Sequence, residues 1–241
     1  MIISRTPFRI SFLGGGSDIR GFYGRFGGAV LSAAIDKYVY VTVNRKFDDA
    51  IRVAYSKTEE VAAAHLIEHQ LVRAALQSLR IAGGVEITTV ADIPSRGTGL
   101  GSSSSFTVAL LHALSAFLGR NASSEALASE ACRIEIDVCG EPIGKQDQYA
   151  AAYGGMNLIE FHSDDSVKVS PVICSPATIR TLEQNTLLLY TGITRSASAL
   201  LKDQSEAIRR NEEAASALRR MVELAYAARD EIQRDNLLGF G

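Results

Sequence analysis

The densest run of chemically useful residues in this chain lies between Pro94 and Ser105. There Gly97, Gly99, Leu100 and Gly101 lead into Ser102, Ser103, Ser104 and Ser105, where a loop enters an apolar segment. Glycines let backbone N–H groups approach a ligand closely. A helix N-terminus adds unpaired N–H donors and a partial positive charge. Together these make an anion site, and the obvious anion is a nucleotide phosphate. The serine hydroxyls can also ligate Mg2+. It is not a Walker loop, because no Gly-Lys-Ser/Thr follows. A glycine-rich turn with a serine cap explains the same pattern without a ligand.

Two acids form the next candidate. Glu135 borders the apolar face of a helix that carries Ala131 and Val138. A carboxylate there is costly unless a partner or a metal meets it. Asp147 follows a proline turn within Gly144-Lys145-Gln146-Asp147-Gln148 and could take a proton from a substrate hydroxyl. Each also reads as an ordinary acid near a helix end.

Arg9 and the run Gly14-Gly15-Gly16-Ser17-Asp18 come third. Asp18 would close a strand, where one carboxylate can accept two sugar hydroxyls. A tight turn with aspartate as a turn residue accounts for the run equally well. The fourth motif, His65-Leu66-Ile67-Glu68-His69, matches the H-x-x-E-H zinc pattern. On one helix, His65 and His69 would share a face, but nothing in the sequence marks a third ligand.

The elements that must carry these residues follow from periodicity. Residues 2–12 alternate as a strand, and Tyr38 to Val43 is the strongest strand pattern in the chain. Ile51 to Tyr55 reads as its partner. Thr58-Glu59-Glu60 looks like a helix start, with helical spacing running to Arg80. A strand follows at Val85–Val90. Phe106 to Leu118 is apolar on nearly every face and reads as a buried helix stopped by Gly119. Ser124 is the expected cap of the next helix, and a short helix spans Asp147 to Tyr153. Strands are expected at Met156–Phe161, Val167–Ile173 and Thr186–Tyr190, and an Ala-rich charged helix from Ser196 to Arg234. The mixed order points to α+β. A soft domain boundary falls near Ala177, giving domains over 1–177 and 178–241.

Composition bounds the rest. The chain has 241 residues, 46% of them hydrophobic and 22% charged, which is a globular balance. A formal net charge of -2 argues against a general nucleic-acid binder. No apolar run is long enough to span a membrane, and the N-terminus lacks a signal-peptide layout. Cys132, Cys139 and Cys174 form no C-x-x-C pair and read as reduced cysteines of a cytoplasmic protein.

The chemical stretches occur together and in the order of one family, so the chain resembles the GHMP kinases. Pro94 followed by Gly99-Leu100-Gly101-Ser102-Ser103 is similar to the family's second motif, and Arg9 to Asp18 to its first. Glu135 and Asp147 match its Mg2+-ligating glutamate and catalytic aspartate. Pro7-Phe8-Arg9-Ile10-Ser11-Phe12, Gln146-Asp147-Gln148 and Thr191-Gly192-Ile193-Thr194-Arg195 resemble the branch that phosphorylates heptose 7-phosphates. Gly15 and Gly16 stand where galactokinases have Glu and His, which leaves room for a different or longer sugar.

The resemblance implies a GHMP kinase fold: an N-terminal domain like domain 2 of ribosomal protein S5, and the start of a ferredoxin-like C-terminal domain. It implies ATP and Mg2+ as cofactors and phosphorylation of an anomeric hydroxyl. Pro94, Gly97, Gly99, Leu100, Gly101, Ser102, Ser103 and Ser104 would hold the nucleotide. Ser103 and Glu135 would bind Mg2+. Asp147 would be the catalytic residue, with Arg9 keeping it ionised. Gly15, Gly16, Ser17 and Asp18 would meet the sugar, and Arg195 or Lys145 its phosphate. A homodimer is compatible with this reading. The family's third motif is expected beyond the last residue. Another sugar such as fucose, or nucleotide binding without turnover, are the competing expectations.

Overall fold

The computed structural model describes residues 1–93, 99–189 and 212–241. They form an α+β fold in two compact units. The first comprises Met1–Phe8, Ile35–Glu141 and Asp147–Tyr153; the second comprises Arg9–Ala34, Pro142–Gln146 and Gly154–Gly241. The long strands β1 (Ile2–Leu13) and β2 (Gly28–Arg45) pair with each other and contribute residues to both.

In the first unit, β2 pairs antiparallel with β5 (Val85–Ala91), Val39 opposite Ala91 and Arg45 opposite Val85. Beyond β5, β3 (Ile51–Ala54) runs parallel and β4 (Thr58–Val61) antiparallel to β3. Val39, Val41 and Val43 are buried at every second position, the period of a strand with one face on a core. That core is built against α2 (Gln70–Ser78) and α3 (Ser102–Phe117). α3 is the expected core helix: Val108, Ala109, Leu110, Leu111, Ala113 and Leu114 are all buried. Gly119, at φ 71°, follows its end.

The helix expected from Thr58 does not form there. Thr58–Val61 is a strand, Ala64–Leu66 a single 3-10 turn, and α2 starts only at Gln70. Pairing with β3 wins over the local helix-start pattern, because Glu59 finds better partners than solvent. It is 6% exposed, and its carboxylate accepts from Tyr55 Oη at 2.8 Å, Glu68 N at 2.6 Å and His69 N at 3.2 Å. His65 and His69 therefore share no helix, and the zinc pattern loses its geometric basis.

The segment after α3 starts one residue earlier than expected. Ser123 caps α4 (Ser124–Cys132), its Oγ accepting from Ala126 N. From Arg133 to Val138 the helix widens to π geometry. The Cys139 N–H reaches back five residues to the Ile134 carbonyl. The short helix α5 (Gln146–Tyr153) follows.

In the second unit, the first half of β2 pairs with β6 (Met156–Phe161), and β6 with β7 (Val167–Pro171), all antiparallel. α1 (Arg20–Phe26) precedes β2. α6 (Pro176–Gln184) was not expected; Ser175 caps it and Pro176 opens it, a start the sequence does spell out. Residues 186–189 are not a strand, and Tyr190 lies outside the described residues. Of the late helix, Glu212–Gln233 is described as α7, followed by α8 (Leu237–Phe240). Ala225, Ala228 and Ile232 of α7 form a core with Ala29, Leu31 and Leu158.

Candidate active site

Pro94, Gly97 and Arg195 lie outside the described residues. The rest of the glycine-serine run is in place at the head of α3. Gly101 is the N-cap residue in the left-handed region, φ 74°, and Gly99 has φ 71°. A side chain at 101 would be strained in that conformation. Gly101 offers no capping oxygen, so no cap side chain occupies the first N–H groups of α3. Leu100 packs against the core. Ser105 Oγ donates to the Pro7 carbonyl, tying the first turn to β1.

Glu135 stands beside this turn. It is 0% exposed, one of two successive buried residues in the π segment, with Ile134. An α-helix would turn one of the two further aside; the wider π turn lets both face inward. Its Oε1 accepts from Ser103 Oγ at 2.7 Å and Thr107 Oγ1 at 3.2 Å. Its Oε2 accepts from Gln148 Nε2. Burial pushes the Glu135 carboxyl up from its ordinary value, while hydrogen bonds from Ser103, Ser104, Gln148 and Thr107 pull it back. Ser103 is itself exposed, so the cluster opens on one side. Gln148 Oε1 is buried and accepts no hydrogen bond from the described residues.

Carboxylate, hydroxyl and amide oxygens are hard donors. They suit Mg2+, which takes one or two protein oxygens and keeps water and phosphate as its other ligands. Among the described residues, no three His, Cys, Asp or Glu side chains gather as a softer metal would need.

Asp147 lies in the first turn of α5, half-buried and next in sequence to Gln148. The helix that carries the candidate base thus also fixes the candidate metal ligand. Thr107 and Gln148 were missed by sequence reasoning. Thr107 sits one helical turn after Ser103, which is where a second hydroxyl on that face would be sought.

In the second unit, Arg9 is 9% exposed. Gly14 (φ 90°) and Gly16 (φ 92°) form the turn after β1. A Cβ on Gly14 would lie 1.9 Å from the Ala29 carbonyl oxygen. Ser17 is fully buried, and its Oγ accepts from Ala29 N and donates to Ala29 O, so it fastens the loop to β2. Asp18 is 2% exposed. Its Oδ1 accepts from Gly16 N at 2.9 Å and Gln146 Nε2 at 3.2 Å, and its Oδ2 from Gln146 N at 3.0 Å. Asp18 thereby joins the glycine loop to the turn before α5. Gly144 makes room for it, since a Cβ there would sit 1.9 Å from Asp18 Oδ2.

Lys145 is held away from a role as a free cation. Its Nζ pairs with Asp165 Oδ1 at 2.7 Å and lies 5.1 Å from the Tyr23 ring centre. Tyr23 Oη donates to the same carboxylate oxygen at 2.6 Å. Burial pushes the Asp165 carboxyl up, but Lys145 and Tyr23 outweigh it and hold it below its ordinary value.

The family described as GHMP kinases N terminal domain matches residues 43–155. A D-glycero-alpha-D-manno-heptose 7-phosphate kinase of Campylobacter jejuni is 30% identical over 208 residues, covering 81% of this chain and 61% of that protein. A bifunctional fucokinase/GDP-fucose pyrophosphorylase of Arabidopsis thaliana is 27% identical over 250 residues, covering 94% of this chain and 24% of that protein. The chain thus spans about three fifths or less of these curated relatives. Among solved structures, a D-glycero-D-manno-heptose 1-phosphate kinase from Bacteriodes thetaiotaomicron superposes with a TM-score of 0.84 at 26% identity. That match covers 100% of this chain and 76% of the other. Among the described residues, no helix is long and apolar enough to cross a membrane.

Proposed function

Since this chain belongs to the GHMP kinases, we propose that its protein is an ATP- and Mg2+-dependent sugar kinase acting on the anomeric hydroxyl of a heptose 7-phosphate. The observation that carries the reading is the buried Glu135 carboxylate, held by Ser103 and Thr107 in the first turns of α3. A carboxylate so placed beside a helix end that favours anions suits a metal–phosphate complex.

The first N–H groups of α3, with the loop before it, would hold the triphosphate. Ser103 Oγ and Glu135 would ligate the metal. Mg2+, when bound, neutralises charge on the phosphoryl oxygens. Asp147 would orient the acceptor hydroxyl and receive its proton as the oxygen bonds to the γ-phosphorus. The bond to the β–γ bridging oxygen breaks, and ADP leaves. Phosphoryl transfer depends mostly on position and charge, so Asp147 would act as much by its negative charge as by proton transfer. Arg9 would offset negative charge on the transferring phosphoryl group. Gly15, Gly16, Ser17 and Asp18 would form the sugar side, with Asp18 and Ser17 setting the loop's shape. Arg195 would meet the sugar phosphate, a role Arg suits by its planar fork.

The test is ADP release by the intact protein with Mg2+ over a panel of sugars and sugar phosphates, with Asp147→Ala beside it. Turnover confined to heptose 7-phosphate and lost in the variant supports the reading. Turnover with fucose instead favours the second reading, which the Arabidopsis fucokinase match motivates. No ADP release with any sugar refutes both.

A further inference from the structure

Asp18 stands in the glycine loop after β1, yet its carboxylate faces the protein. The residue is 2% exposed. Its Oδ1 accepts from Gly16 N and from Gln146 Nε2, and its Oδ2 accepts from Gln146 N at 3.0 Å. The Lys145 N–H donates to the Asp18 carbonyl oxygen at 3.3 Å. Gly144 backs against the same group: a Cβ there would lie 2.3 Å from the carboxyl carbon. A carboxylate so engaged and so little exposed leaves no open face for a substrate hydroxyl.

These contacts converge on the start of one helix. Gln146 is the first residue of α5, and the first N–H groups of a helix have no acceptor within it. The residue just before a helix often supplies a side-chain oxygen to them. Lys145, in that position, has no such oxygen. Asp18 supplies one from 128 positions away in the chain. Its negative charge also lies at the positive end of the helix dipole. Asp147 is the next residue of the same helix, so the way this first turn is held sets the direction from which Asp147 departs.

We infer that Asp18 is a positioning residue: it caps α5 from the glycine loop and thereby fixes the place of Asp147, without touching the sugar. The inference rests on the sugar-kinase reading and gives Asp18 a different part in it, alignment of the candidate base in place of contact with a sugar hydroxyl. A base set slightly out of line costs rate and leaves substrate binding intact. A lost sugar contact costs binding first.

The test is steady-state turnover by the intact protein, with calorimetric binding of ATP and of whichever sugar the parent turns over, D-glycero-D-manno-heptose 7-phosphate or L-fucose. Asp18→Asn keeps the shape of the side chain but sets an NH2 group against an N–H that Asp18 accepts. The expected result is a kcat lower by about tenfold or more, with sugar and ATP affinities within about twofold of the parent. Gln146→Met, which removes the side-chain donor to Asp18 and keeps the backbone, should lower kcat as well. The double variant should be no slower than the slower single variant, because both act through one contact. Unchanged kcat in Asp18→Asn, even with a lower melting temperature, overturns the inference and leaves the sugar-kinase reading standing. A tenfold loss of sugar affinity, whatever kcat does, also overturns it and makes Asp18 a sugar contact. If Asp18→Asn fails to fold, a parent-like kcat in Gln146→Met overturns it. A parent that turns over no sugar overturns the sugar-kinase reading and this inference together.

Discussion

The side-chain amide of Gln148 donates to the fully buried carboxylate of Glu135, thirteen positions earlier in the chain. Gln148 is itself 0% exposed and follows Asp147 directly. The contact locks the π segment that carries the candidate metal ligand to the helix that carries the candidate base. A shift of α5 would therefore disturb both groups at once.

Glu135→Gln should abolish Mg2+-dependent turnover by a hundredfold or more, while stability changes by less than about 1 kcal/mol. The substitution removes a charge that burial disfavours and keeps the side chain's volume. Kinetics at saturating ATP together with a denaturant melt check both halves. A large stability loss would show that the carboxylate is structural.

Asp147→Asn should lower kcat by about a hundredfold or more and leave ATP affinity nearly unchanged, because it removes the proton acceptor and not the phosphate cradle. Nucleotide titration beside steady-state rates separates the two. Equal loss of ATP affinity would place Asp147 in nucleotide binding.

Gly14→Ala should destabilise the protein by more than about 2 kcal/mol. It meets the Ala29 carbonyl at 1.9 Å and carries φ 90°. Gly144→Ala should do the same for a different reason, since its Cβ would strike the Asp18 carboxylate. Urea unfolding of the two variants measures the effect; parent-like midpoints would show that the loop re-forms freely.

Glu59 makes stability depend on pH. Burial pushes its carboxyl up, but the N–H of Glu68, the Tyr55 hydroxyl and the N–H of His69 together hold it below its ordinary value. The unfolded chain then binds more protons than the folded one between the two values. The contribution is fully present above the ordinary carboxylate range and is lost as pH falls through the depressed value. Glu59→Gln should therefore cost about 1–3 kcal/mol at pH 7 and progressively less in acid. Paired denaturant melts from pH 7 to pH 3 test this, and a pH-independent difference would contradict it.

Much of this was legible in the chain itself. Alternation places Val39, Val41 and Val43 on one face, and unbroken apolarity makes Phe106 to Leu118 a core helix; both are local patterns with one stable solution. The glycine-serine run and the spacing of Glu135 and Asp147 mark a candidate site in the sequence. Local pattern failed at Thr58–Glu60, where a helix-start signature became an edge strand. The decisive partners of Glu59 were N–H groups nine and ten positions away.

What the sequence determined by itself is therefore the family resemblance and a set of candidate residues, because motifs concentrate donors and acids within a few positions. What only the tertiary structure decided is how those groups are held. Gln148 on Glu135 and Gln146 on Asp18 are pairings across separate elements. They exist because burial leaves a polar group no water and obliges it to find a partner wherever the fold brings one. No spacing along the chain encodes that choice.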